Sequence, residues 1–230
     1  MRVSMIEKYI VDGEQTGAEF SFIGGKPLMP DSCPLPECKL CGNGLTFFFQ
    51  VDCGDVENFS DYVLSVFFCT KCRNDEYLIP PMLDGDLKDA SVSSEFLSNS
   101  YQNFMTYLIT KADLKIKECY IEEIEFKIIQ DHRNAEAKIF GYSGAKPNWI
   151  LEDETPKDIA GHKASFLFGV HQDFEFPIVT DAPGQVEFDF MEGENVKVSR
   201  RSYRLFLANG LYFFGASHDQ GLIYTLTQVD

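Results

Sequence analysis

The run from residue 38 to residue 72, CKLCGNGLTFFFQVDCGDVENFSDYVLSVFFCTKC, carries the strongest structural pattern in the chain. It opens with Cys38-Lys39-Leu40-Cys41-Gly42 and closes with Cys69-Thr70-Lys71-Cys72, so a CxxC pair stands at each end. Residues 45–51 and 62–68 between the pairs are apolar and rich in phenylalanine, which predicts two buried strands. Two such strands can pair as a hairpin. A hairpin returns its end to its start, so the two CxxC pairs should meet.

Four cysteines that meet in this way have the ligand set of a tetrahedral zinc site. We therefore expect Cys38, Cys41, Cys69 and Cys72 to hold one structural zinc ion. Four thiolates leave no open coordination position, which favours a structural over a catalytic ion. The alternatives are buried thiols without metal and a redox role for one pair. A redox role is disfavoured because neither pair lies in a βαβ pattern.

Three further cysteines make the total odd, at seven. Clustered cysteines in a reducing compartment favour metal binding over disulfides. Cys33 lies close enough in sequence to substitute as a ligand, although Pro34 and Pro36 constrain its approach. Cys53 and Cys119 are expected to be ordinary core residues.

The composition predicts a protein dominated by β structure. The chain has 230 residues, of which 44% are hydrophobic and 21 are phenylalanine, a residue that favours strands. Residues 93–111 carry apolar side chains at helical spacing, which predicts an amphipathic helix. Residues 124–128 alternate between apolar and polar, which predicts a strand.

The net charge of the chain limits the kinds of partner that we expect it to bind. The formal net charge is −16, from 36 acidic and 20 basic residues. Phosphate backbones repel such a chain, which disfavours direct nucleic-acid binding. A basic protein is the more natural partner because opposite charge steers encounter. The N-terminus has no apolar signal region, and no run is long enough to cross a membrane, so we expect a cytoplasmic protein.

The two halves of the chain echo each other loosely. Residues 139–147 (IFGYSGAKP) echo residues 22–27 (FIGGKP), and residues 165–170 (SFLFGV) echo residues 46–51 (TFFFQV). The run LYFF at 211–214 also echoes the second apolar strand of the first half. The expected fold is therefore α+β and mostly β, with two related β-rich lobes from an internal duplication and a zinc-knuckle hairpin in the first. Chance similarity between phenylalanine-rich strands is the alternative.

The expected organisation has three parts. Residues 1–20 form a polar N-terminal segment, taken to be peripheral. Residues 21–135 form the first lobe, with the four-cysteine site and a helix. Residues 136–230 form the second lobe.

Several of these motifs resemble the bacterial YwqG-like family and the related eukaryotic programmed cell death protein 2 group. The resemblance lies in residues 22–27, the CxxCG at 38–42 and the strand at 45–51, which are similar to the family's "xGGxPxxP" opening and "pLxFxxQv" strand. The second half fits loosely through Phe140-Gly141-Tyr142 and the run at 211–214, although Ser143 stands where the family continues with proline. The resemblance implies a two-lobed, mostly β fold. It also implies kinship with chaperones dedicated to a basic ribosomal protein, and some bacterial members lie near toxin systems.

No sequence motif gives a positive reason to assign an enzyme. The chain has no GxSxG elbow, no phosphate-binding loop and no dinucleotide fingerprint. The leading expectation is a non-enzymatic protein-binding module, chaperone- or adaptor-like, for a basic protein partner. One alternative is an immunity-type inhibitor of a toxin. The other is an enzyme whose site forms only in the fold, in a pocket lined by His162, His171 or carboxylates with perturbed pKa.

Overall fold

Strands account for 40% of the chain and helices for 8%, which confirms the mostly β prediction. The computed structural model describes residues 5–85, 87–133, 137–189, 191, 193–198, 200–216 and 221–230. The strands are β1 Ile6–Val11, β2 Phe22–Ile23, β3 Leu28–Met29, β4 Thr46–Asp52, β5 Tyr62–Phe68, β6 Ser91–Val92, β7 Phe104–Thr110, β8 Lys115–Ile116, β9 Lys127–Gln130, β10 Lys138–Ser143, β11 Asp158–Ile159, β12 His162–Val170, β13 Glu175–Pro177, β14 Val186–Asp189, β15 Glu194–Lys197, β16 Ser202–Arg204, β17 Gly210–Ala216 and β18 Leu222–Gln228. The helix α1 spans Ser94–Ser100, and short 3-10 turns span Asp75–Tyr77, Lys111–Asp113 and Phe206–Ala208.

Twelve strands form one large mixed sheet. Ten of them follow the order β18-β17-β12-β10-β1-β9-β2-β4-β5-β7, and off this path β11 pairs with β12 and β6 pairs with β11. The pair β11–β6 is parallel, and the other ladders of this sheet are antiparallel. The sheet curls until its two end strands, β7 and β18, lie side by side. The hydroxyl of Tyr101 bridges them: it donates to the carbonyl oxygen of Ile223 at 2.6 Å and lies 3.0 Å from the hydroxyl of Thr106.

A bulge in β4 decides which aromatic side chains enter the main core. Phe47 lies opposite β5 in normal register, and the register shifts between Phe47 and Phe49. The extra residue, Phe48, lets two consecutive side chains pack on the same side of the sheet. Phe48 and Phe49 therefore join the main core, whereas Phe47 packs in a separate cluster on the opposite face.

The same irregularity recurs in β12. Its register against β17 shifts between Phe166 and Phe168, with Leu167 as the extra residue. Leu167 and Phe168 enter the main core, and Phe166 packs on the opposite face. The ring of Phe49 lies 6.0 Å from that of Phe168, so the two bulged strands meet inside one aromatic core.

Two sets of strands are arranged alike on either side of the sheet centre. One side runs β2-β4-β5-β7 and the other runs β10-β12-β17-β18. At the centre, β1 pairs with β10 and β9 pairs with β2, and β1 and β9 pair with each other. Tyr9 lies opposite Gln130 in that central ladder. The strand that precedes the first set in sequence, β1, thus pairs with the second set. The strand that precedes the second set, β9, pairs with the first set.

Two expectations about local structure are wrong. The N-terminal segment is not peripheral, because β1 lies between β9 and β10 in the middle of the sheet. The helix expected over 93–111 ends at Ser100, and Phe104–Thr110 is β7. Phe104 and Thr106 are buried and Met105 between them is half-buried, and the β-branched and aromatic side chains of β7 suit a strand that pairs with β5.

The remaining segment expectations have mixed outcomes. The strand expected over 124–128 is displaced to β9, although Ile124 forms an isolated bridge with Ile178. Cys53 is buried as expected, but Cys119 is exposed. The lobe boundary expected between residues 135 and 136 lies outside the described residues, and the division into two lobes stays a prediction.

A search of the described residues finds no helix with the length and apolar character needed to span a bilayer.

A buried lysine links three parts of the sheet. The Nζ of Lys8 in β1 lies 2.6 Å from Asp55 Oδ2 and 2.7 Å from Asp131 Oδ1. The hydroxyl of Ser143 donates to the same Asp55 oxygen at 3.0 Å. Burial opposes ionisation of both partners, but the ion pair outweighs it, lowering the pKa of Asp55 and raising that of Lys8.

We expect Asp55→Asn to lower the free energy of unfolding at pH 7 by about 1.5–3 kcal/mol, as for a lost hydrogen bond to a charged group. Because the folded-state pKa of Asp55 lies below its ordinary value of 3.8, its contribution is complete above that value and is lost as the pH falls through the folded pKa. Urea unfolding of both proteins between pH 7 and pH 2 measures this. Their difference should shrink below about pH 4. A difference that stayed constant would contradict the assignment, and Asp113→Asn, at an exposed site, is the control.

Candidate metal centre

The four cysteines of the two CxxC pairs converge beside the ends of β4 and β5. These strands pair antiparallel, with Thr46 opposite Phe68, so the chain just before β4 and just after β5 leaves from the same end of the ladder. The ligand atoms of Cys38, Cys41, Cys69 and Cys72 all lie within 4.8 Å of one another. We call this group the four-cysteine cluster. None of the seven cysteines forms a disulfide.

Backbone hydrogen bonds shape the first CxxC turn. The amide of Gly42 donates to the carbonyl oxygen of Cys38 at 2.8 Å. The amide of Cys38 in turn donates to the carbonyl oxygen of Asn43 at 2.8 Å. Gly42 has φ 71°, a left-handed conformation that glycine adopts without steric cost. The side-chain amide of Asn43 lies 3.3 Å from the sulfur of Cys41. The turn therefore presents two sulfurs to one point.

The second pair is fixed by contacts with distant parts of the chain. The amide of Cys69 donates to the carbonyl oxygen of Asn103 at 2.8 Å, which ties the pair to the start of β7. The carbonyl oxygen of Thr70 accepts from the amide of Val186 in β14 at 2.9 Å. Residues from both halves of the chain thus hold the second CxxC turn.

The residues between Cys69 and Cys72 both connect to Glu123. The Nζ of Lys71 lies 2.9 Å from Glu123 Oε1. The hydroxyls of Thr70 and Thr46 lie 2.8 Å apart, and Thr46 donates to Glu123 Oε2 at 2.9 Å. The hydroxyl of Tyr203, in β16, lies 3.2 Å from the same oxygen. Glu123 is buried, so this carboxylate joins the cluster to the second half of the chain through one polar network.

The surroundings of the sulfurs affect them unequally. Burial raises the pKa of Cys69 to about 12, and burial together with the neighbouring sulfurs also raises the pKa of Cys72. Around Cys41 burial acts in the same direction, but hydrogen bonds from Asn43 outweigh it and lower the pKa to about 7. Close thiolates repel one another, so full ionisation of the set requires a cation.

The sulfur geometry fits a four-coordinate metal ion. The distances are 3.7 Å for Cys38–Cys72, 3.8 Å for Cys41–Cys69 and 3.5 Å for Cys69–Cys72. A regular tetrahedron with zinc–sulfur bonds of about 2.3 Å has edges of about 3.8 Å. Cys33 is not part of the cluster, and its sulfur lies 3.8 Å from the carbonyl oxygen of Pro34.

The histidines proposed for a fold-assembled catalytic site do not line either of the two cavities described in this structure. His171 is half-buried beside the ring of Tyr142, and burial lowers its pKa. His162 is exposed at the start of β12.

Sequence reasoning missed Glu123 as part of the site. Its neighbours Glu122 and Glu125 look equivalent in the sequence, and both are exposed. Burial alone distinguishes Glu123, and burial here depends on contacts with β4 and β16 that no local pattern reveals.

We expect Glu123→Gln to lower the free energy of unfolding by about 2–3 kcal/mol, because it removes a buried charge and leaves Lys71 without its partner. Denaturant unfolding of the metal-loaded protein measures the change. Glu122→Gln removes the same charge from an exposed neighbour and should change the free energy by less than about 0.5 kcal/mol. Equal effects of the two substitutions would show that the network does not stabilise the fold.

Comparison with known proteins leaves the chain without an assigned family. No protein-family model matches the sequence, and no curated protein shows significant similarity to it. The role of the four-cysteine cluster therefore has to be argued from its own geometry and chemistry.

Proposed function

We propose that the four-cysteine cluster holds one structural zinc ion. A set of four thiolates selects zinc or iron among the common metals, and it leaves no open position for substrate. The sulfur spacing supports a tetrahedral ion. Cys38 and Cys69 are buried, which suits an ion that organises the fold. In this proposal β4, β5 and the two CxxC turns form a zinc-knuckle hairpin, and ion binding contributes directly to folding.

The purified protein should contain about one zinc ion per chain, and Cys69→Ser should abolish binding because it removes one of four ligands. Elemental analysis measures the metal, and thermal unfolding with and without a strong chelator measures its contribution. Cys119→Ser, at an exposed cysteine outside the cluster, should keep both the metal and the stability. If the protein contained iron in place of zinc, the four-cysteine ligand set would stand and the assignment of the metal as zinc would be wrong. Metal-free protein of unchanged stability would reject the site.

An internal duplication accounts for the arrangement of the sheet. Phe22 lies opposite Gln50, and Tyr142 lies opposite Gly169, so FIGGKP at 22–27 and YSGAKP at 142–147 occupy matching places. The matching bulges at Phe48 and Leu167 support the same correspondence. A Cα superposition of the two strand sets that put the bulges out of register would overturn the duplication.

We further propose that the chain is a non-enzymatic protein-binding module, chaperone- or adaptor-like, for a basic protein partner. The observation that carries the proposal is an acidic groove of about 640 Å³. Asp89, Glu152, Asp153 and Glu154 line it, and its one basic residue, Lys88, lies 3.4 Å from Asp153. Such a groove attracts lysine and arginine side chains and lies on a chain of net charge −16.

A second feature of the acidic groove is an unsatisfied carboxylate oxygen of Glu154. Its Oε2 is buried and has no hydrogen-bond partner among the residues that the structure describes. A buried carboxylate oxygen without a donor is costly, and a cationic side chain in the groove would satisfy it. Leu151 is exposed next to the acidic residues and offers an apolar contact for the same segment.

The charge of the groove predicts which variant loses a partner. We expect Glu152→Lys with Asp153→Lys to reduce capture of a basic protein from lysate at least tenfold, because the groove then repels it. Glu57→Lys with Asp113→Lys makes the same change in net charge at exposed sites outside the groove. Quantitative mass spectrometry of captured protein compares the variants, and thermal unfolding confirms that each folds. An equal loss of capture in both double variants would show that the net charge of the chain, and not the groove, attracts the partner. Unchanged capture by the groove variant would reject the groove.

We also propose that the chain is related to the YwqG-like family and the programmed cell death protein 2 group. We propose a cytoplasmic location as well. The motif resemblance and the repeated strand order support the kinship. A YwqG-like protein whose strands follow a different order would contradict it.

A further inference from the structure

We propose that a cavity beside the four-cysteine cluster binds the carboxylate of one Asp or Glu side chain, presented by a basic segment of the protein partner. The cavity measures about 240 Å³ and lies between the second CxxC turn and the second half of the chain. Arg73, Gln185, Glu187, Arg204, Phe68 and Leu207 are among the residues that line it. This inference rests on the proposed function in that the ligand is part of a protein.

The charge balance of the cavity points to an anion with a single charge. Arg204 Nε lies 2.8 Å from Glu175 Oε1, and Glu187 Oε1 lies 3.3 Å from Arg200 Nη1, so both of these charges already have ion-pair partners. Arg73 has no ion pair within the part of the chain that the structure describes, and its Nε is buried without a hydrogen-bond partner. The carboxylates of Glu187 and Asp75 both act electrostatically on Arg73, and they oppose a doubly charged ligand such as phosphate. Arg73 is the guanidinium that lacks a close ion pair among the described residues, and a carboxylate matches it in charge and in planar geometry.

The size of the cavity points to a side chain rather than a free cofactor. Its volume corresponds to about eight water molecules at about 30 Å³ each. That is below the range of about 300–1,000 Å³ that small-molecule sites occupy. Phe68 and Leu207 add apolar contacts for the methylene groups of an acidic side chain. A carboxylate at the end of a short aliphatic stem fits both the volume and the lining.

A strained turn at the rim gives an independent reason to regard the cavity as functional. Phe206, Leu207 and Ala208 have φ values of 45°, 64° and 62°, a left-handed conformation that costs free energy in non-glycine residues. Such strain concentrates at ligand clamps, where the surroundings impose it.

The surroundings do impose this turn. The buried ring of Phe206 packs 4.9 Å from Phe68 and 5.2 Å from Phe104, and the carbonyl oxygen of Ala208 accepts from Asp173 at 2.7 Å. The result is an exposed Leu207 side chain at the rim, 43% accessible. The fold therefore bears strain to hold an apolar side chain at this rim.

The net negative charge of the chain and the guanidinium in the cavity favour different charges on the same ligand. A chain of net charge −16 repels a segment with many acidic residues, so a carboxylate reaches Arg73 only when basic residues surround it. The expected ligand is a lysine- or arginine-rich segment with one Asp or Glu flanked by apolar residues. The acidic side chain would set the register of the segment.

The test uses the full-length, metal-loaded protein and two synthetic seven-residue peptides. Both carry a lysine at each end and central apolar residues, and they differ only in a central glutamate or glutamine. We expect the glutamate peptide to bind at least tenfold more tightly by fluorescence anisotropy. Arg73→Gln should remove the preference, and Arg201→Gln, which changes the same charge at an exposed site outside the cavity, should keep it.

Leu207→Gly separates binding from folding. Glycine adopts the left-handed conformation without strain, so this variant should raise the melting temperature while weakening the binding of both peptides. Equal affinity for the two peptides, binding of neither, or a preference that survives Arg73→Gln would overturn the cavity proposal. If the native chain still captures a basic partner through the acidic groove, only the cavity proposal fails.

Discussion

The convergence of four cysteine sulfurs on one point is the constraint around which one end of this structure is organised. Sulfurs 3.5–3.8 Å apart can all ionise only around a cation, so the proposed zinc ion would hold the two CxxC turns together. The second turn is also bonded to Asn103, Val186 and the Glu123 network. Loss of the ion would therefore reach beyond the hairpin, into β7 and into the contacts with the second half.

The central strands explain why the two sets of strands form one sheet instead of two separate units. β1 precedes the first set in sequence but pairs with β10, and β9 precedes the second set but pairs with β2. If the two sets arose by duplication, as we propose, β1 and β9 are equivalent elements that the sets exchange, as in a symmetric dimer whose subunits swap a strand. In that case the exchange places the two-fold axis between Tyr9 and Gln130. The aromatic core then forms across both sets, and Phe49 packs against Phe140, Phe168 and Phe213 from the other set.

The features that sequence predicted are those with a local pattern and a short loop between partners. Strands 45–51 and 62–68 correspond closely to β4 and β5, and the convergence of the cysteines follows from their pairing. Features decided by distant partners escaped prediction. Residues 104–110 have apolar spacing that suits a helix, but β5 supplies a strand edge that pairs with them. Ile6–Val11 looks peripheral in the sequence because it contains the charged residues Glu7 and Lys8. Lys8 can be buried because Asp55 and Asp131, both far along the chain, neutralise it.

The two proposed binding features differ in how electrostatics would act on them. The acidic groove is open to solvent, and salt screens exposed charges over about 8–10 Å at physiological ionic strength. It would therefore govern the rate of encounter more than the strength of the final complex. The guanidinium of Arg73 is partly buried in a small cavity, where screening is weaker and a hydrogen-bonded carboxylate is held more firmly. A basic segment drawn in by the groove would thus be selected by its single acidic residue. In this proposal, that division would give specificity to a surface whose charge alone would attract any basic protein.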